Sequence, residues 1–156
     1  MRSFLFSLLL PLLLAGTNPN LLKVKSVYLL PMSNGMDQYL ANQLRASGIY
    51  VVVSDPKAAD GIFTDFLGPV FEKKMTELYP PEVDEEAEES RESGEGRVTV
   101  NRKGRGMVFL VERGSRHVVW STYEPSKNTL PHHLDQAAKR ITQRLKKDLG
   151  LKPLAQ

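Results

Sequence analysis

The chain has 156 residues, of which 41% are hydrophobic and 25% charged, and its net charge is +3. This length predicts one domain with enough chain to bury a core. The composition argues against a fully disordered chain, a collagen-like repeat and a protein of many membrane spans. Because the chain has no cysteine, disulfides, thiolate metal sites and cysteine nucleophiles are excluded.

Residues 1–16 have the pattern of a secretory signal peptide. Arg2 precedes an apolar run over residues 4–15, and Gly16 follows that run. The run is shorter than the ~20 residues that a membrane-spanning helix needs, and Pro11 interrupts it. We therefore expect a periplasmic or secreted protein with no stable membrane span after cleavage. A retained membrane anchor and a buried N-terminal helix are the alternatives.

Residues 80–96 form an acidic segment within the single domain expected over residues 17–156. They carry eight acidic side chains and one basic side chain, Arg91. A like-charged stretch without large apolar residues cannot offset the entropy cost of its own ordering, so we expect a flexible insertion. Three interpretations of this insertion are open. It is a solvated loop, an arm that binds a basic partner or a cation, or a segment that shields the basic half of the chain. That half, residues 97–156, has thirteen basic and four acidic residues, a net charge of +9.

The fold is expected to survive removal of this insertion. Replacing residues 81–95 by a short Gly/Ser linker should change the unfolding temperature by only a few degrees, because halving a loop changes its closure cost by only ~0.6 kcal/mol. Thermal unfolding of the shortened and the unmodified protein measures the difference in unfolding temperature. A collapse of the unfolding temperature would mean that the segment packs on the core.

Six short segments have the composition of β-strands, rich in β-branched and aromatic residues and bounded by turn residues. They are Lys23–Pro31, Ile49–Val53, Gly61–Phe66, Arg97–Arg102, Gly106–Glu112 and His117–Tyr123. The second segment is nearly all apolar, which predicts a buried strand. The last three are joined by short turns containing glycine, which predicts a three-stranded antiparallel meander. Its third strand would hold Val118, Trp120 and Thr122 on one face, with Trp120 in the core.

Helical spacing of apolar residues predicts three helices. The first runs from Met36 to Ser47, with an apolar residue at every fourth position and Gly48 after it. A shorter helix begins at Pro69, and the strongest pattern covers Pro131–Leu149, with most of the basic residues off its apolar stripe. The order β-α-β-β-(α)-loop-β-β-β-α predicts an α+β fold in which helices pack on one face of a mixed sheet.

The sequence shows no motif for catalysis, a cofactor or a metal, so neither a cofactor nor a metal is expected. Gly104-Arg105-Gly106 lies in a predicted hairpin, outside the strand-to-helix context of a phosphate-binding loop. His117 lies on a strand, and the adjacent His132 and His133 point about 100° apart, which is a poor geometry for chelation.

Three aspartates near predicted strand ends supply an alternative function. With Asp55, Asp60 and Asp65, the protein would be an extracytoplasmic small-ligand binder or a hydrolase. Asp37 is better explained by the first turn of its helix, and Asp55 also fits turn chemistry. Enzymatic activity is therefore an open question, and no catalytic residue is assigned.

A basic cluster on the predicted hairpin turns is a candidate surface for an anionic partner such as a lipid or glycan. Its members are Arg102, Lys103, Arg105, Arg113 and Arg116. Nucleic acid is not expected, because the protein is predicted to be secreted and no aromatic residues are interleaved for base stacking. The competing interpretation is charge that protects edge strands from aggregation.

The run Val27–Pro31, a helix, Gly48–Val52 and then Ala59–Ile62 resembles a pattern of cell-envelope proteins. It is similar to the N-terminal domain of TolB and to related domains in CsgG-like curli secretion and LpoB-like outer-membrane proteins. Arg116–Ser121 and the final amphipathic helix also have counterparts there. The chain departs from the pattern in its acidic segment, in having no lipid-attachment cysteine and in having no propeller domain.

The resemblance implies a non-catalytic envelope or assembly domain with a mixed sheet, and no particular partner. We therefore expect a secreted or periplasmic interaction domain that acts in cell-envelope assembly or transport. Its partner would be a protein or an anionic envelope component, and its oligomeric state is left open.

Overall fold

The computed structural model describes residues 19–80 and 106–151. The described residues form a five-stranded sheet with the strand order β2-β1-β3-β4-β5, together with four α-helices and two single 3-10 turns. The α-helices and strands, in chain order, are α1 (Pro19–Lys23), β1 (Ser26–Leu29), α2 (Met36–Ser47), β2 (Val51–Val52), β3 (Gly61–Thr64), α3 (Pro69–Leu78), β4 (Met107–Glu112), β5 (Val118–Tyr123) and α4 (Pro131–Asp148). The predicted signal peptide, the acidic insertion beyond Pro80 and the predicted strand Arg97–Arg102 lie outside these ranges.

The predicted α+β class with a mixed sheet is confirmed. β1 runs parallel to β2 and β3, whereas β4 runs antiparallel to β3 and β5. The long helices α2 and α4 bury their apolar stripes against one face, as predicted. The short helix α3 departs from the prediction of one covered face, because it packs against the opposite face through Phe71 and Met75. Both faces of β3 are apolar, since Ile62 faces α3 and Phe63 faces the long helices, so both faces need cover.

Helix ends follow the local sequence closely. α2 spans the predicted residues and ends at Gly48, whose φ of 64° lies in the left-handed region that glycine enters without strain. α3 begins with Pro69 in its first turn, and α4 ends one residue before Leu149. These boundaries were predictable because proline and glycine act on the backbone directly, whatever the tertiary contacts.

The prediction that Ile49–Val53 forms a buried strand is wrong. Only Val51 and Val52 form the strand β2, and it lies at one edge of the sheet beside β1. Val51 is 64% exposed, because the outer side of an edge strand has no neighbouring element to cover it. An apolar run gives no information about which strand takes the central position.

The hairpin of β4 and β5 is confirmed, but the three-stranded meander is wrong. β4 pairs with β3 on one side and β5 on the other, so no position beside it is left for a third meander strand. A register shift in β5 also changes its faces. Val119 and Trp120 are both buried, and Val118 is 44% exposed. Strict alternation predicts Val118 and Trp120 on one face, and this prediction is wrong because the register shift separates them.

Trp120 lies in the core, as predicted. It is 8% exposed and meets the ring of Phe63 edge-on, with centroids 6.5 Å apart. Its indole Nε1 donates a hydrogen bond of 2.8 Å to Asp148 Oδ2 near the end of α4. The ring therefore connects β5 to the last turn of the helix that covers it.

The short helix α1 was not predicted, because it buries a single residue, Leu21, and so has no periodic pattern. The strand expected from Lys23 begins at Ser26 instead. The α1–β1 junction is held by the Asp60 carboxylate. Asp60 Oδ2 accepts hydrogen bonds from Lys25 N (3.0 Å), Ser26 N (2.9 Å) and Ser26 Oγ (2.9 Å). The hydrogen bond from the Ser26 backbone makes the largest contribution to holding the pKa of Asp60 below its usual range.

We expect the Asp60→Asn variant to have a weaker dependence of stability on acidic pH. The folded protein holds the Asp60 pKa below the value of an unfolded chain, about 3.9. The carboxylate therefore stabilises the fold above pH ~4 and loses this contribution as pH falls towards its lowered folded pKa. Urea unfolding midpoints between pH ~2 and pH ~7 measure the effect. Equal pH dependence in both proteins would contradict this role of Asp60.

Candidate functional site

The sheet has a switch point at the carboxyl ends of β1 and β3. These neighbouring parallel strands lead to helices on opposite faces, β1 to α2 and β3 to α3. The two connections diverge and leave a crevice between them, and such switch points are where open α/β sheets bind their ligands. A cleft of about 410 Å³ lies here, which we call the switch-point cleft.

The switch-point cleft has an apolar floor and a rim of short polar side chains. Three groups of residues form it: the turns after β1 and β3, the start of β4 with the loop after β5, and one side of α4. They are Ser33, Asn34, Met36, Asp65, Gly106, Met107, Val108, Tyr123, Glu124, Pro125, Ser126, Asn128, Thr129, Leu134 and Ile141. Its volume lies within the ~300–1,000 Å³ of ligand sites.

The turn Ser33-Asn34-Gly35 shapes one wall of the cleft. Asn34 has a φ of 59°, an uncommon conformation for a residue other than glycine, and Gly35 has a φ of 71°. Ser33 N donates a hydrogen bond of 2.8 Å to Asp65 Oδ2, which joins the two diverging connections. Asp37 Oδ1 accepts a hydrogen bond of 3.0 Å from Met32 N, so this helix residue also holds the connection that follows β1.

The opposite wall is fixed by contacts of the loop that follows β5. Glu124 N donates to Gly106 O over 2.7 Å, and the Glu124 carboxylate accepts a bond of 2.6 Å from Arg140 Nε of α4. Asn128 Oδ1 accepts from Leu130 N and bonds the ring Nδ1 of His133. The wall is therefore tied to the start of α4.

The three candidate aspartates are not brought together. Asp60 precedes β3 and Asp65 follows it, so they lie at opposite ends of one strand, about 16 Å apart at ~3.3 Å per residue. Asp55 caps a 3-10 turn through a bond of 2.9 Å from Lys57 N. Each of the three carboxylates accepts at least one backbone N–H, and only Asp65 lines the cleft. They do not form one catalytic centre.

The described part of the predicted basic cluster lies at the other end of the sheet. Arg113 donates to Lys57 O over 2.7 Å and its guanidinium stands 5.5 Å from the ring centre of Tyr79. Arg116 contacts Glu72 at 3.5 Å. Both side chains therefore have internal partners. The remaining predicted members, Arg102, Lys103 and Arg105, lie outside the described residues.

His132 and His133 lie at the start of α4 with their ring centroids 4.0 Å apart. The pKa of His133 is lowered, first by desolvation and then by electrostatic interaction with the neighbouring His132. Residues 19–80 and 106–151 contain no cluster of three His, Asp or Glu side chains suited to a metal ion. In the same ranges, no helix has the length and apolar character needed to cross a bilayer.

Sequence reasoning identified Asp65 and missed the rest of the cleft. Ser33 and Asn34 have the composition of a turn, and a turn signal shows where a strand ends but not which distant loop faces it. Glu124 and Asn128 come from a loop more than fifty residues away in the chain. Asn34 was the one available signal, since asparagine tolerates a positive φ better than most residues.

Family models, curated proteins and solved structures were all compared with the chain, and none of the three comparisons gave a match.

Proposed function

We propose that this protein is an extracytoplasmic, non-catalytic interaction domain that binds an extended segment of a partner protein at the switch-point cleft. One observation carries the proposal: the cleft adjoins the outer edge of β5. In the described residues β5 is the last strand of the sheet, and its terminal residue Tyr123 lines the cleft while 57% of it is exposed. An extended peptide can pair with such an edge and place a side chain in an adjacent pocket.

The chemistry of the cleft supports binding over catalysis. Glu124 is paired with Arg140, and Asp65 holds the backbone of Ser33, so both rim carboxylates serve the walls. The floor residues Met36, Met107 and Leu134 suit an apolar side chain of the partner. The signal peptide and the envelope-protein resemblance in the sequence support a periplasmic or secreted location and a role in envelope assembly or transport.

Filling the cleft tests this proposal. Thr129 is exposed on the rim, and Thr129→Trp should occupy the space that a partner side chain needs. Tagged protein should capture the partner from envelope extract, and the tagged Thr129→Trp variant should not. Capture should be retained with Thr76→Trp, an equal change at an exposed position of α3. Equal capture by both variants would contradict binding at the cleft.

The predicted location has its own test. Cell fractionation followed by N-terminal sequencing should find the protein outside the cytoplasm, beginning at residue 16 or 17. A cytoplasmic, uncleaved chain would contradict the extracytoplasmic proposal and leave the cleft proposal standing.

A second candidate is an extracytoplasmic small-ligand binder, favoured by the volume of the cleft and by the polar side chains on its rim. Native mass spectrometry of the purified protein separates the candidates. A bound small molecule that Thr129→Trp removes would favour the small-ligand binder over the protein-interaction domain.

A further inference from the structure

We propose that the end of the sheet opposite the cleft binds the surface of an anionic lipid bilayer. This end, the basic end, gathers cations from four separate parts of the chain. These parts are the segment before β1, the segment after β2, the turn between β4 and β5, and the last turn of α4. The residues are Lys23, Lys25, Lys57, Arg113, Arg116, Lys146 and Lys147.

Hydrogen bonds show that these parts of the chain meet. Asp60, which precedes β3, binds the backbone of Lys25, and its carbonyl accepts a bond of 2.9 Å from Arg113 N. Arg113 Nη1 also reaches Lys57 O. α2 and α4 both begin at the cleft, and Gln43 of α2 bonds Asp135 in the first turns of α4, so the longer α4 ends at the basic end.

The acidic side chains at this end have partners within the protein. Asp60 accepts the three bonds at the α1–β1 junction, and Asp148 accepts the indole N–H of Trp120. Glu112 accepts a hydrogen bond from Ser115 Oγ. In contrast, Lys25, Lys57 and Lys147 are exposed, and none of them belongs to an ion pair within residues 19–80 and 106–151.

One further feature favours a bilayer over another anionic partner. Leu22 is 46% exposed and Leu151 is 48% exposed, which places apolar side chains among the lysines, the combination that membrane-surface segments use.

This orientation leaves the switch-point cleft facing away from the bilayer, accessible to a partner. The two proposals use different surfaces, so either can fail alone. Because the attraction is electrostatic, we expect binding that is measurable at low salt and is strongly weakened as salt rises.

Co-sedimentation of the protein isolated from cells tests the proposal, with vesicles of phosphatidylglycerol and phosphatidylcholine. At about 50 mM salt the protein should sediment with these vesicles, and at about 500 mM salt most of it should be released. K25Q/K147Q should bind about 25-fold more weakly, near fivefold for each cation removed. The matched control K73Q/K127Q removes two exposed lysines away from the basic end and should bind as the unmodified protein does.

Three outcomes would overturn the proposal. They are absence of binding at low salt, equal loss in both double variants, and equal binding to vesicles of phosphatidylcholine alone. Leu22→Ser adds a check on the apolar contribution, since it should weaken binding without changing its salt dependence.

Discussion

Replacing Phe63 with alanine is expected to lower the free energy of unfolding by about 3–5 kcal/mol, the largest effect of any single change considered. Phe63 is completely buried on the central strand β3, between the rings of Tyr50 and Trp120 at centroid distances of 6.4 and 6.5 Å. Its removal leaves a cavity between the sheet and the two long helices. Urea denaturation of the variant and the unmodified protein measures the difference.

Leu67→Ala is the matched control for this change. Leu67 is 40% exposed in the connection after β3, so its truncation should change the free energy of unfolding by no more than about 0.5 kcal/mol. A similar small change at Phe63 would contradict the core arrangement in which β3 is central.

Replacing Gly106 with alanine is expected to destabilise the fold and open the wall of the cleft. Gly106 has a φ of 84°, and an added Cβ would lie 2.7 Å from Pro125 Cα and 2.8 Å from Pro125 N. These are backbone atoms that cannot rotate away, so the contact adds to the ~1–3 kcal/mol cost of the backbone conformation itself. The bond from Glu124 N to Gly106 O should break with this shift. Amide hydrogen exchange at Glu124, with thermal unfolding, measures both effects.

Gly114→Ala provides the comparison at the other end of β4. No atom lies within 4 Å of a Cβ added there, so the variant should behave as the unmodified protein. If Gly106→Ala also had no effect, this would contradict the close approach of β4 to the loop after β5, and therefore this wall of the cleft.

Elements set by local chemistry were predictable from the sequence. α2 follows from apolar residues at every fourth position and from Gly48, and α4 from an apolar stripe that continues over five turns. The failures at β2 and β5 are matters of tertiary position, whereas α1 was missed because a five-residue helix with one buried residue has no periodic pattern. Nothing in the segment Ile49–Val53 distinguishes an edge from a centre, and the extra residue in β5 that exposes Val118 breaks the alternation on which the prediction depended.

The same reasoning explains why the site was only partly predicted. Asp65 was singled out because it ends a strand, but Asp55 and Asp60 had the same sequence signal and serve turns and junctions elsewhere. The difference is the direction of the strand: Asp65 follows β3 at the switch point, whereas Asp60 precedes β3 at the basic end. A strand pattern shows where a residue lies along the chain, while the order of strands in the sheet decides which ends meet.

Site-specific photocrosslinking at Tyr123 tests the proposed interaction site most directly. A benzophenone amino acid at this position keeps an aromatic ring at the junction of the cleft and the β5 edge, where 57% of Tyr123 is exposed. Irradiated cells should yield one discrete adduct with a partner protein, and the Thr129→Trp change should abolish it. The same probe at Lys73 on α3 should give no such adduct. An absence of adduct at Tyr123, or an identical pattern from both positions, would contradict partner binding at the switch-point cleft.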